Sequence, residues 1–344
     1  MKAVQFQAYG ALPKVVEVSP PECPDDGVVV DVRATGVCRS DWHAWKGHDP
    51  VELPHIGGHE LIGTVVTVGS LVQRWKVGDR ATTPFVCGCG RCDVCGAGEA
   101  QVCPSQTQPG FTGPGSFAEQ VALHAADVNL VAVPDSIDDV TAASLGCRFA
   151  TAYRALTVHG RVQPGQWLAV HGCGGVGLSA VMIGVALGAR VIAVDLNPAA
   201  LARATALGAE VALEGGPDAA GRIQKLGGAH VSIDALGMPS TAVSSVCSLR
   251  RRGRHVQVGL LLGHASTPPL PMDRVVAYEL EIYGSHGMAA RDYPAMMAII
   301  AAERLDPSAL VGDVIGLDDI PAALVAMGAT TSNVGLTVAR LPAR

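Results

Sequence analysis

Four cysteines stand close together in the segment CGRCDVCGAGEAQVC: Cys89, Cys92, Cys95 and Cys103. Their spacing lets four thiolates meet around one tetrahedral ion within a short loop, which is typical of a structural zinc site. The segment has few apolar side chains, so metal binding rather than burial must order it. A nucleic-acid zinc finger would need a reading helix and basic side chains, whereas this segment has one basic residue. The pattern predicts a structural zinc lobe, with the nearby Cys87 outside it.

A second set of possible metal ligands is scattered along the chain. Cys38 opens the run CRSDWH, His59 lies in the run GGHE, and Cys147 lies where the sequence pattern changes. Two thiolates and one imidazole leave the fourth position of a zinc ion open, as catalytic sites require. Taken singly, each residue is more simply explained as part of a core or turn. The three become a candidate site only together with the motifs around them.

A glycine-rich loop, HGCGGVG, follows a predicted strand and precedes a predicted helix. Such a loop brings the backbone close to a pyrophosphate, whose charge meets the helix N-terminus. Asp195 ends the next predicted strand, where a carboxylate would bind the adenosine ribose and repel a 2′-phosphate. The simpler alternative is a glycine turn needed only for packing. We predict NAD rather than NADP, bound in part by the loop residues Gly172, Gly174, Gly175, Val176 and Gly177.

The elements that must position these residues fall into two patterns. The chain has 344 residues, which favours two domains. Its first part is predicted to form short β-strands, such as 27–32 and 63–69, separated by glycine and proline turns. Later, strands and helices alternate, which predicts an α/β fold with a doubly wound parallel sheet. The predicted strands are 167–170, 191–194, 231–234 and 255–258, and the predicted helices are 178–187, 199–207 and 293–302.

Composition and charge exclude several other functions. The net charge of −6 gives no general attraction to nucleic acid or anionic membranes. The basic run Arg250, Arg251, Arg252 and Arg254 is interpreted as a solvated turn. The N-terminus has no apolar signal-peptide region, so we expect a cytoplasmic protein whose cysteines are reduced and available to metals. The uncharged stretch 172–189 is interpreted as part of the glycine loop and its helix rather than a membrane span.

The segment GHELIGTVVTVG resembles the zinc-binding signature of the zinc-containing alcohol dehydrogenases, in the medium-chain dehydrogenase/reductase superfamily. CRSDWH, the four-cysteine lobe and the glycine loop match that family in the same order, and the resemblance covers essentially the whole chain. It implies a GroES-like catalytic domain, residues 1–148 and 285–344, and a Rossmann NAD-binding domain, residues 149–284. It also implies two zinc ions per subunit, one catalytic and one structural.

The resemblance further implies roles for individual residues. Cys38, His59 and Cys147 would hold the catalytic zinc, with Glu60 behind it as a transient ligand. Asp41 would accept a hydrogen bond from His59. Ser40 would accept the alcohol proton, which would pass through the nicotinamide ribose to His43. Other implied cofactor contacts are Arg39 to the pyrophosphate, and Thr151 and the backbone near Val258 to the nicotinamide.

One position departs from the family pattern. Leu336 stands where relatives often carry a second arginine that binds the pyrophosphate, which puts the cofactor affinity in question. The sequence assigns no role to Arg148 or His48. Only residues 104–114 separate the lobe from Gly115, which resembles the shorter, homotetrameric form of the family.

These features predict a zinc-dependent alcohol dehydrogenase with a small-molecule substrate. The expected reaction is reversible oxidation of primary or secondary alcohols, with hydride transfer to NAD from an alkoxide held on zinc. Four aromatic residues near the candidate ligands favour an apolar substrate: Trp42, Trp45, Phe85 and Phe111. Two alternatives remain: a carbonyl reductase or polyol dehydrogenase of the same superfamily, and a non-catalytic zinc- and NAD-binding structural or sensor protein.

Overall fold

The computed structural model describes residues 1–302, 304–328 and 334–342. The strands are β1 (Lys2–Phe6), β2 (Lys14–Glu17), β3 (Val28–Val37), β4 (His55–Ile56), β5 (Glu60–Val68), β6 (Arg80–Thr82), β7 (Gln120–Leu123), β8 (Val131–Ala132), β9 (Trp167–His171), β10 (Arg190–Asp195), β11 (Val211–Glu214), β12 (Ala229–Asp234), β13 (Leu249–Gln257), β14 (Glu281–Gly284), β15 (Val311–Ile315) and β16 (Leu336–Arg340). The helices are α1 (Arg39–Lys46), α2 (Asp93–Gly96), α3 (Ala126–Asn129), α4 (Asp139–Ala143), α5 (Ala150–Arg154), α6 (Gly175–Ala186), α7 (Pro198–Ala206), α8 (Ala219–Lys225), α9 (Pro239–Cys247), α10 (Met272–Tyr278), α11 (Tyr293–Ala301) and α12 (Ile320–Ala326).

The chain divides into two compact units. The first comprises Met1–Ala150 and Gly287–Arg344, and the second comprises Thr151–His286. Among the helices of the described ranges, none is long and apolar enough to cross a bilayer.

The first unit is built on β3 and β5, two long antiparallel strands rich in buried β-branched residues. Their sheet has the strand order β15-β16-β3-β5-β6-β8, and β7 also pairs with β3. The register pairs Gly36 with Glu60, so the end of β3 lies beside the start of β5. Because Cys38 follows β3 and His59 precedes β5, this pairing brings both residues to the same end of the sheet.

The second unit contains a six-stranded parallel sheet with the order β11-β10-β9-β12-β13-β14. Numbered within the unit, this is the 3-2-1-4-5-6 order of the Rossmann fold. After β9 the chain adds β10 and β11 on one side of that strand, and then β12, β13 and β14 on the other side. The glycine loop therefore leaves β9 at the point where the strand order reverses, where such sheets bind ligands. The predicted α/β fold with a parallel sheet is confirmed.

The prediction of a turn for the basic run was wrong. These arginines lie on β13, although Arg250, Arg251 and Arg252 are exposed as expected. The register between β12 and β13 shifts near this point, and Arg252 adopts a φ of 62°. Such an irregularity lets a strand carry several solvent-facing residues in succession. Glu279 and Glu281 balance part of the charge by pairing with Arg252 and Arg254.

One buried side chain of the second unit makes its stability depend on pH. His171 ends β9 and is 1% exposed, and its Nε2 has no hydrogen-bond partner among the described residues. Burial, together with the nearby His255, lowers the pKa of His171 to about 3. The folded protein therefore holds this imidazole neutral at pH values where the unfolded chain, with a pKa near 6.5, would protonate it.

The first prediction concerns His171→Leu. The pKa of His171 is lower in the folded protein than in the unfolded chain, so below about pH 6.5 only the unfolded chain takes up a proton at this residue. The free energy of unfolding therefore decreases as the pH falls from about 6.5 towards the folded pKa. Between pH 7 and pH 5.5 the variant should lose about 1 kcal/mol less stability than the wild type. Urea unfolding at both pH values measures this difference. The exposed His264→Gln variant is the control, and equal pH dependence of His171→Leu and wild type would contradict the prediction.

Candidate functional site

The carboxylate of Asp41 joins the two segments that carry Cys38 and His59. It accepts hydrogen bonds from the backbone N–H of Cys38 at 2.9 Å and of Gly58 at 3.1 Å. Asp41 Oδ1 also lies 2.9 Å from His59 Nδ1, the contact expected from the sequence. An imidazole that donates from Nδ1 keeps its lone pair on Nε2, where a metal can bind.

A compact group of metal-binding atoms lies beside this carboxylate. Cys38, His59, Glu60 and Cys147 each offer one ligand atom, and these four atoms lie within 4.8 Å of one another. His59 Nε2 is buried and has no hydrogen-bond partner in the described part of the chain. A buried polar atom without a partner is costly, and a metal ion would satisfy it. Two sulfurs and an imidazole form a donor set that suits zinc.

Cys147 reaches this group from a widened helical turn, residues 145–149, between α4 and α5. The carbonyl of Gly146 accepts hydrogen bonds from the Tyr293 hydroxyl at 3.1 Å and from the Phe85 backbone N–H at 3.2 Å. Widened turns of this kind are frequent at functional sites. The two hydrogen bonds fix the turn, and with it the position of Cys147.

Electrostatics favour the thiolate form of one residue of this group, Cys38. The Cys147 thiol donates a hydrogen bond to Cys38 and, with the positive charge of Arg148, outweighs burial and lowers the pKa of Cys38 well below its ordinary value. Burial disfavours protonation of His59, but Asp41 and Cys38 outweigh it and raise the pKa of His59 well above its ordinary value, so His59 must release a proton when a metal binds. Cys38 is therefore held towards the thiolate, the form that binds metals.

Glu60 lies among these atoms, and its carboxylate is fully buried against Arg148. Oε1 accepts hydrogen bonds from Arg148 Nε at 2.9 Å and from its backbone N–H at 3.2 Å, and Oε2 accepts one from Nη2. This ion-pair partner of Glu60 was not predicted from the sequence. The segment LGCRFATAY does contain a signal for the ion pair, since one cation lies among mostly apolar residues. A cation buried in such a segment requires a partner of opposite charge.

The four-cysteine lobe also brings its ligand atoms within 4.8 Å of one another. Cys92 Sγ and Cys103 Sγ are 3.7 Å apart, close to the roughly 3.8 Å edge of a tetrahedron with zinc–sulfur bonds of about 2.3 Å. Cys103 Sγ accepts hydrogen bonds from the backbone N–H of Cys89 and Ser105. Cys87 lies apart, and burial raises the pKa of its thiol to about 11.

The residues suggested for proton transfer lie on α1. Ser40 Oγ is 3.9 Å from Cys38 Sγ, and His43 is three residues further along the helix, on the same face. His43 Nδ1 lies 3.1 Å from Nδ1 of His48, a residue that the sequence left unassigned. Burial, together with the charges of His48 and Arg39, lowers the pKa of His43.

The four aromatic residues near the ligands do not share one location. The ring centroids of Phe111 and Phe85 lie 5.1 Å and 6.1 Å from that of His59. Trp42 packs against His43 at 5.2 Å. The expectation for Trp45 was wrong. Its ring is buried in the hydrophobic core, where Nε1 donates to a backbone carbonyl.

The glycine loop of the second unit has the conformation that its sequence predicts. Gly172 has a φ of 90°, and a Cβ on Gly177 would lie 1.7 Å from the Gly172 carbonyl oxygen, so both positions require glycine. α6 begins at Gly175 without a side-chain cap, which leaves backbone N–H groups free for an anion. Asp195 accepts hydrogen bonds from the Cys173 backbone N–H at 2.6 Å and from the Asn197 backbone N–H at 2.8 Å.

The remaining cofactor candidates lie in both units. Thr151 is buried at the start of the second unit, and Val258 follows β13. Arg39 lies in the first unit, where it donates to the Met327 carbonyl and stacks over Trp42. Leu336 is a buried apolar residue at the start of β16.

Comparison with known proteins identifies the family. Residues 24–135 match the family described as alcohol dehydrogenase GroES-like domain, and residues 175–302 match the zinc-binding dehydrogenase family. The chain belongs to the zinc-dependent alcohol dehydrogenases of the medium-chain dehydrogenase/reductase superfamily. It is accordingly an oxidoreductase of the NAD-dependent alcohol dehydrogenase class.

Individual relatives agree with this assignment. An alcohol dehydrogenase of Geobacillus stearothermophilus is 35% identical over 290 residues, which cover 83% of this chain and 84% of the relative. The structure of alcohol dehydrogenase TADH from Thermus sp. ATN1 superposes with a TM-score of 0.91 at 27% identity, covering 99% of this chain and all of that one. A cobalt- and zinc-bound thermostable alcohol dehydrogenase from Pyrobaculum aerophilum has a TM-score of 0.87 at 26% identity, with 99% of each chain covered.

Proposed function

We propose that this enzyme catalyses the reversible, NAD-linked oxidation of primary or secondary alcohols at a site formed by Cys38, His59 and Cys147. The observation that carries the proposal is the buried group of two sulfurs and one imidazole, whose Nε2 has no partner among the described residues. A zinc ion held by these atoms would supply Lewis-acid chemistry, lowering the pKa of an alcohol or polarising a carbonyl.

The protein's own residues then orient the ligands and move the proton. Asp41 keeps His59 in the tautomer whose Nε2 faces the metal position. The Ser40 hydroxyl accepts the alcohol proton while it releases its own proton, which the His43 imidazole carries towards solvent. When His43 Nδ1 donates to His48 Nδ1, His43 Nε2 keeps the lone pair that takes the incoming proton. The lowered pKa of His43 suits this role, since the ring releases the proton readily near neutral pH.

We also propose that the first unit is the catalytic domain and the second the NAD-binding domain. The free N–H groups at the start of α6 and the glycines before it suit a pyrophosphate. Arg39 would leave the Met327 carbonyl to pair with the same group, and Thr151 and Val258 would contact the nicotinamide. Asp195 would bind the adenosine ribose and select NAD over NADP.

The second prediction tests the activity and its metal. A spectrophotometric screen of alcohols and carbonyls with NAD(H) and NADP(H) should show NAD-linked alcohol oxidation that chelation abolishes. Cys147→Ser should lose this activity and one of the two zinc ions of each subunit, because the ligand set is broken. Its circular dichroism spectrum should be unchanged. Cys103→Ser should lose the other zinc ion and lower the thermal midpoint, because zinc orders the lobe.

Cys23→Ser is the matched control, because Cys23 belongs to the first unit but to neither metal-binding group. Full activity in Cys147→Ser would refute the site. Activity restricted to NADPH-linked carbonyl reduction, or to polyols, would favour the corresponding relatives in the superfamily. Zinc and NAD binding without turnover on any substrate would favour a structural or sensor protein.

The third prediction concerns the choice of cofactor. Asp195→Asn retains an oxygen that can accept from the Cys173 N–H but removes the charge, so the loop should persist while NAD preference falls. The ratio of kcat/KM with NAD to that with NADP should drop about tenfold or more, since charged hydrogen bonds to the ribose are lost. Glu214→Ala, which changes the exposed carboxylate ending the neighbouring strand, serves as control. Unchanged selectivity in Asp195→Asn would remove Asp195 from this role.

The fourth prediction concerns the assembly. We propose a homotetramer, because the chain between the lobe and Gly115 is as short as in the tetrameric form of the family. Light scattering should give four times the mass of the chain, and a dimer mass would reject the proposal. A cytoplasmic location is proposed with it, because none of the ten cysteines forms a disulfide, which suits a reducing compartment.

A further inference from the structure

Arg148 is a buried cation next to one of the proposed catalytic metal ligands. It directly follows Cys147 in the widened turn 145–149, and its side chain is 8% exposed. A buried guanidinium is costly unless a charge compensates it. A buried arginine beside a metal ligand therefore requires a compensating charge.

Its compensating charge is Glu60, on β5. The guanidinium presents Nε to one carboxylate oxygen and Nη2 to the other, and the Arg148 backbone N–H adds a third hydrogen bond to Oε1. This planar, two-point pairing is specific to arginine, because a lysine ammonium cannot form the same fork. Both oxygens of Glu60 are thus committed to one partner.

The surrounding backbone is shaped for this pair. Gly36 on β3 lies opposite Glu60 in the strand register. A Cβ at Gly36 would lie 2.1 Å from Glu60 Oε2 and 3.0 Å from Arg148 Nη2, so any other residue there would displace the carboxylate or the guanidinium. The pair therefore occupies a fitted niche between two strands and the turn that carries Cys147.

The same carboxylate is within reach of the metal position. A Glu60 oxygen lies within 4.8 Å of the ligand atoms of Cys38, His59 and Cys147. Carboxylates bind zinc well, and a fourth protein ligand closes a tetrahedral site of the structural kind. If Glu60 were free to turn, it would compete with substrate for the fourth position.

We infer that Arg148 is a positioning residue that holds Glu60 away from the metal and so keeps the fourth ligand position exchangeable. The inference rests on the proposed function, since it takes Cys38, His59 and Cys147 as the metal ligands. A purely structural ion pair would be expected to affect stability without changing the ligands of the metal. The two roles can be separated by observing the metal directly.

The fifth prediction concerns Arg148→Gln in the cobalt-substituted enzyme. With Arg148 lost, Glu60 should bind the metal, so imidazole, a neutral ligand that occupies an open position, should bind about tenfold or more weakly. The visible absorption bands of cobalt report this binding without turnover. Metal release to a chelator should also be slower in the variant, because a fourth protein ligand has been added.

The double variant Glu60→Gln/Arg148→Gln removes both charges together and should restore imidazole affinity, because a neutral amide is a poor competitor. Arg80→Gln is the control, since it breaks another ion pair of the first unit, with Asp139. If Arg148→Gln does not fold, Arg148→Lys replaces it; with the fork lost, this variant should bind imidazole more weakly than the wild type.

Imidazole binding by Arg148→Gln, or by Arg148→Lys in its place, that equals the wild-type value would overturn the inference. So would a double variant that binds imidazole as weakly as Arg148→Gln. Failure of the proposed function has a different signature, because the thiolate-to-cobalt charge-transfer absorption would then have the same intensity in Cys147→Ser as in the wild type.

Discussion

The first unit depends on one buried carboxylate that serves three donors. Asp41 accepts from the backbone of Cys38 and Gly58 and from the imidazole of His59. Its side chain is almost completely buried, so each hydrogen bond compensates part of the cost of removing a charge from water. The same carboxylate fixes the start of α1, the loop before β5 and the tautomer of His59. Without it, the segments that carry Cys38 and His59 would lose the side chain that forms hydrogen bonds with both of them.

The local motifs could be predicted because their information is contained in a few neighbouring residues. The glycine loop needs only a strand, a tight turn and a helix start, and Gly177 shows why glycine is required: its Cβ would collide with Gly172. Cys38 and His59 were different, since only the family resemblance connected them. The structure supplies the physical reason, which is the pairing of Gly36 with Glu60 across β3 and β5. Spacing along the chain does not reveal a long-range register.

The missed features also depend on distant contacts. Glu60 precedes Arg148 by 88 residues, so nothing local identified the pair. Trp45 was expected near the substrate because it is close to Cys38 in sequence, but its direction on α1 takes it into the core. The basic run around Arg252 was interpreted from charge alone, which indicates exposure and says little about whether the backbone is a strand or a turn. In each case a tertiary contact determined what local composition left open.

Charge balance gives the metal position a further physical basis. Cys38, Cys147 and Glu60 can together carry three negative charges within a few ångströms, and Arg148 supplies one positive charge. The excess of negative charge, to which the neighbouring Asp41 adds, favours a cation, and without one the protein must retain protons on these groups. Hydrogen bonding to the Cys38 sulfur and burial do raise the pKa of Cys147, while that of Cys38 is lowered. Metal binding therefore releases protons, which couples the affinity of the site to pH.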